Sequence, residues 1–189
     1  MGLKFRYHYA MKRLYSQLIG IPLIVRDTPV KIGRVFNLLI DPDRGTLMAI
    51  QTTHAQMIAP VDLGEFKEDH WEIKHADAPI DENELVRVQL ISKARRKLIH
   101  KKVITKSGEE LGMVADFMME MTTLSLVQLY VVKRQWFFLI KENHLIDWKN
   151  ILEITEEAII VKDRHIKGRE ELEEYWQLKE KVSVPMPSH

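Results

Sequence analysis

Apolar residues in this chain fall mostly in short runs with a period of two, broken by polar turns. Such alternation predicts half-buried β-strands. In "KIGRVFNLLIDPDRG", Lys31 to Gly45, a strand opens near a glycine. It ends in a turn where Pro supplies a fixed φ and Gly a positive one. "ELGMVADFMMEMTTL", Glu110 to Leu124, repeats the plan without that turn. "TLMAIQTT", "LSLVQLYVV", "HWEIKHA" and "EEAIIVKD" read as further strands, and "ELVRVQLI" alternates at Val86, Val88 and Leu90. Trp136 to Ile140, "WFFLI", is apolar on both faces, which predicts a buried strand or a hairpin packed on a partner.

The two related stretches belong to a longer internal match. Leu18-Ile19 aligns with Leu98-Ile99, Leu23-Ile24 with Val103-Ile104, and Gly33 with Gly112. Val35 aligns with Val114, Asn37 with Asp116 and Leu38 with Phe117. The period of about 80 residues is too long for a solenoid repeat and suits duplicated small domains. Each copy opens on a short basic segment, followed by an apolar strand, a polar turn and the glycine-started strand. Gly33 and Gly112 are expected at a barrel corner or bulge. Asn37 and Asp116 are expected to satisfy backbone donors near a bend. Closing the sheet of each copy protects its edges.

Composition narrows the partners. The chain has 189 residues, a formal net charge of +1 and no cysteine. Near-neutrality gives no overall field towards nucleic acid or an anionic membrane. The lack of thiols removes disulfides, thiolate nucleophiles and cysteine zinc sites, and it fits a reducing, cytoplasmic setting. No apolar run approaches the roughly 20 residues needed to cross a bilayer. The N-terminal "MGLKFRYHYAMKRLYSQ" has no apolar core, so no signal peptide is expected.

Two basic stretches remain. Lys12 and Arg13 lie in an aromatic-rich segment, and Arg95, Arg96, Lys97, Lys101 and Lys102 crowd a second one. Basic charge with aromatics suits RNA through phosphate contacts and base stacking. The simpler reading is a solvated face with aromatics packed inward. "HIKGREELEEYWQLKEKV", from His165, reads as an amphipathic helix with Leu172, Tyr175 and Trp176 on its apolar stripe. With Trp136, Phe137 and Phe138, that stripe is the candidate protein interface. Eight histidines occur without convincing metal-ligand spacing. Neither a phosphate loop nor a nucleophile elbow is present, so no catalytic, metal or cofactor residue is assigned.

"LIGIPLIV", "VKIGRVFNLLIDPDRGTLMAIQ" and "APVDLGEF" together resemble the PRC-barrel family. This module is shared by the photosynthetic reaction centre H subunit and the C-terminal part of the ribosome maturation factor RimM. The second copy departs from the pattern, with His100 in place of Gly20. The resemblance implies a small β-barrel that contacts protein subunits and ribosomal components, with no catalytic constellation to transfer. The expected fold is mainly β: two tandem small PRC-barrel-like β-barrels with short helices and a C-terminal amphipathic helix. The expected domains are residues 1–91, 92–164 and the tail 165–189. The expected function is non-enzymatic: an adaptor binding a protein partner, a second copy of itself included. The alternative is an RNA- or ribosome-associated factor; a small-molecule enzyme ranks last.

Overall fold

Burial alternates along Pro22–Val25 and Trp71–Ile73 but not along Glu110–Glu120, where residues 116–119 are buried in succession. The computed structural model describes residues 11–81, 97–135 and 139–163. It is mainly β, with a curled half-barrel sheet. Of the described residues, 11–81 with 118–127 form one compact unit. The rest, 97–117, 128–135 and 139–163, form a second.

The first unit contains β1 (Lys12–Leu14), a single helical turn α1 (Tyr15–Leu18), β2 (Pro22–Val25), β3 (Lys31–Ile40) and β4 (Leu47–Thr52). It continues with β5 (Gln56–Ile58), β6 (Leu63–Phe66), β7 (Trp71–Ile73) and β8 (Ile80–Asp81). The strand order is β6-β7-β2-β3-β4-β5-β8. Only β2 and β7 run parallel among these pairs. Leu23, Ile50, Ile58, Trp71 and Ile73 bury their side chains. Leu14 and Leu18 join this core, as do Met118 and Met119 from segment 118–127. That segment pairs with β1 through Lys12↔Glu120 and Leu14↔Met118.

The strands of the second unit are β9 (Lys102–Thr105), β10 (Glu110–Glu120), β11 (Ser125–Gln135), β12 (Leu139–Asp147), β13 (Ile151–Ile154) and β14 (Ala158–Val161). β10 and β11 give their 118–127 ends to the first unit. The order is β12-β11-β10-β9-β14-β13, with β9 and β14 parallel. Val103, Val114, Phe117, Leu145 and Ile159 are buried. β11 and β12 form a long hairpin closing through Gln135↔Leu139.

The order β6-β7-β2-β3-β4-β5 recurs, element for element, as β13-β14-β9-β10-β11-β12. Local turns recur as well. The Gly20 N–H donates to the Val35 carbonyl and the His100 N–H to the Val114 carbonyl, both at 2.8 Å. Both donors have positive φ, 83° and 66°. A short 3-10 turn precedes β6 at Pro60–Asp62, and another precedes β13 at Trp148–Asn150.

The matched glycines sit at breaks in register. The β2–β3 ladder shifts between Leu23 and Ile24, next to the Leu23↔Gly33 pair. The β9–β10 ladder shifts between Glu110 and Gly112. Gly112 has φ 123°, and a Cβ there would lie 2.3 Å from the Val132 carbonyl oxygen. Gly33 has φ 155°, but its nearest neighbours are the His54 and Thr53 side chains, at 3.1 and 3.3 Å. The second position needs glycine for the close passage of β11; the first is more forgiving.

Candidate interaction surfaces

β3 carries a further irregularity. Its ladder with β4 pairs Val35 with Thr52 and Asn37 with Gln51, leaving Phe36 as the extra residue of a β-bulge. A bulge re-aims the side chain it inserts. Val35 is buried, whereas Phe36 is 57% exposed. The position in β10 that corresponds to Phe36 is Ala115, also exposed. A strand of this design therefore forms without a large residue there, and the phenyl ring has no packing task in the core. Val61 is 72% exposed and Val30 49%. The sequence reading missed all three. Phe36 had one visible signal: it breaks the inward rhythm of Val35 and Leu38.

Around β2, β6 and β7 several charged and aromatic side chains are paired with one another. Arg26 pairs with Glu72 at 3.3 Å, and Lys67 reaches Glu72 at 3.8 Å as well as Glu65. The Glu65 hydrogen bond is the main cause that holds the Lys67 ammonium above its ordinary pKa. Gly64 leaves the space that Arg26 and Glu72 fill, since a Cβ there would come within 3 Å of both. Phe66 packs edge-on against Trp71 at 5.4 Å, and the Arg13 guanidinium lies 5.6 Å from the Phe66 ring centre. At that distance the cation meets the electron-rich ring face.

The sequence-derived basic residues are dispersed in role. Arg13 covers Phe66 and donates to the Lys12 carbonyl. Lys101 donates to the carbonyls of Thr155 and Glu156 at 2.9 and 2.8 Å, tying down the turn between β13 and β14. Lys102 pairs with Glu110 at 2.8 Å, and that hydrogen bond leads the causes that lower the Glu110 pKa. Lys12 and Lys97 are exposed. Arg95, Arg96, Trp136, Phe137, Phe138, Leu172, Tyr175 and Trp176 lie outside the described residues.

Of the matched polar residues, Asp116 takes a neighbouring backbone donor as expected, whereas Asn37 takes a side-chain donor from 22 residues away. Asn37 Oδ1 accepts the Tyr15 hydroxyl at 3.1 Å. Asp116 is buried and accepts the Phe117 N–H at 2.8 Å. Asp41, at the head of the "DPDRG" turn, accepts the N–H groups of Asp43 and Arg44. In the second unit Asp163 accepts the Ser107 N–H at 2.9 Å, the main cause that lowers its pKa. His70 is paired with Asp69 at 2.7 Å, and this lowers the Asp69 pKa. Among the described residues no group of His, Asp and Glu is arranged to hold a metal ion. None of their helices is long and apolar enough to cross a membrane.

A curled sheet with bulged strands, glycine corners and one parallel pairing defines a small barrel-like β module. Comparison with known families finds a match to the PRC-barrel domain over residues 92–166. No curated protein matches the chain.

Proposed function

We propose that this chain is a non-enzymatic adaptor built from two tandem PRC-barrel-like units that hold a protein partner. The PRC-barrel match over residues 92–166 supports the second unit. The repeated strand order supports reading the first as its relative. The observation that carries the binding role is Phe36, a large aromatic pushed out of β3 by a bulge and 57% exposed. Aromatic side chains with no packing task are strong interface anchors, because they remove much apolar area from water at little entropic cost. The amphipathic stretch from His165 adds a second candidate surface in the sequence, and the lack of cysteine supports a cytoplasmic setting.

The test is capture of partners by the full chain and by Phe36→Ser at matched concentration, each with and without nuclease. On this reading a protein is retained after nuclease and drops at least about tenfold with the variant, the loss expected of an aromatic anchor. Capture that vanishes with nuclease and ignores Phe36 would favour the RNA- or ribosome-associated alternative.

A further inference from the structure

Within the first unit, Gly45–Leu47 lie along Leu124–Leu126. Thr46 and Ser125 face each other in an antiparallel bridge. The Leu47 N–H donates to the Leu124 carbonyl at 2.8 Å, and the Leu126 N–H donates to the Gly45 carbonyl at 2.7 Å. The offset of 79 that relates Asn37 to Asp116 also relates Gly45, Thr46 and Leu47 to Leu124, Ser125 and Leu126. Each residue of the bridge thus meets its own counterpart, and the two hydrogen bonds are exchanged reciprocally. The backbones agree too, with φ 68° at Gly45 and 51° at Leu124, although only the first is a glycine. Reciprocal contact between equivalent residues is the geometry of a two-fold, self-complementary interface.

The arm that makes this contact is the 118–127 end of β10 and β11, strands whose remaining residues belong to the second unit. The first unit depends on it: Met118, Met119, Met121 and Leu126 are buried, and β1 pairs with Met118 to Glu120. These contacts do not require the arm to come from the same chain.

We propose that the arm is exchangeable. A second copy of this chain completes the first unit with its own residues 118–127, and the reverse, giving a two-fold dimer with the same strand pairing. This goes beyond the adaptor reading and does not depend on Phe36.

The chain has no cysteine, so Thr46→Cys and Ser125→Cys each introduce a single thiol. Their positions form a non-hydrogen-bonded antiparallel pair, with Cα atoms about 4.5 Å apart, which a disulfide can bridge. Equal amounts of the two full-length variants are mixed, refolded together and oxidised, then resolved without reductant. The expected product is a dimer joined through positions 46 and 125, its fraction rising with total concentration and absent from either variant alone. The proposal is overturned if no mixed disulfide forms while the Thr46→Cys, Ser125→Cys double variant closes internally. It is equally overturned if the double variant folds but does not close, because the bridge is then absent. Light scattering on the unmodified chain is the independent check. A mass rising towards twice the monomer with concentration agrees with exchange, and an unchanging monomer mass contradicts it.

Discussion

A Cβ on Gly112 would lie 2.3 Å from one backbone atom of Val132 and 2.6 Å from another, so the only relief is movement of β11 itself. Gly112→Ala is therefore expected to cost about 3 kcal/mol or more, with strain at φ 123° added to the clash. Gly33→Ala meets side chains that can rotate away, so mainly the backbone strain at φ 155° remains, and about 1–2 kcal/mol is expected. Urea denaturation of the two variants checks the order; equal losses would contradict the close passage of β11. His100 is the reverse case. It holds φ 66° where the matching residue is Gly20 at 83°. Left-handed backbone costs a non-glycine residue about 1–2 kcal/mol, while glycine costs about 0.4–1 kcal/mol in unfolded-chain freedom. His100→Gly should therefore stabilise by about 0.5 kcal/mol and raise the melting temperature by 1–2 °C, roughly, for a chain of this size. A lower melting temperature would show that the imidazole makes a contact worth more than the strain.

At the scale of elements, the turn between β13 and β14 depends on a lysine from the stretch just before β9. Lys101 bridges the carbonyls of Thr155 and Glu156. Lys101→Met keeps the aliphatic stem and removes both charge-assisted bonds. A loss of about 1 kcal/mol is expected, discounted because the ammonium is partly in water. Thermal melting of the variant checks this, and an unchanged midpoint would free Lys101 for another role. The example also marks what the sequence could tell. The strands that fall on described residues and the matched glycines were legible, because period-two alternation and glycine punctuation are local signals, whereas the readings of "ELVRVQLI" and of "WFFLI" at Trp136 to Phe138 lie outside the described residues. The task of Lys101 was not legible, because it depends on a turn 54 residues away. Nor was the placement of 118–127, whose "MMEMTTL" reads as the end of one hairpin whichever unit buries its methionines. Phe36 was ambiguous for a third reason: counting on from Val35 puts it outside, counting back from Leu38 puts it inside, and the bulge decides between them.

For the molecule as a whole, the claim at stake is that this chain works by holding a protein and not by chemistry. Composition, the PRC-barrel match over 92–166 and an exposed aromatic at a bulge favour it. Phe36→Ser should leave stability within about 0.5 kcal/mol of the parent, because a surface change away from core and turns rarely does more. The variant therefore separates binding from folding. The decisive measurement is the amount of nuclease-resistant protein partner retained by the parent chain and by Phe36→Ser at equal melting temperature. A named partner held by the parent and lost from the variant is the predicted result. Equal retention by both chains, or retention that disappears with nuclease, would contradict it.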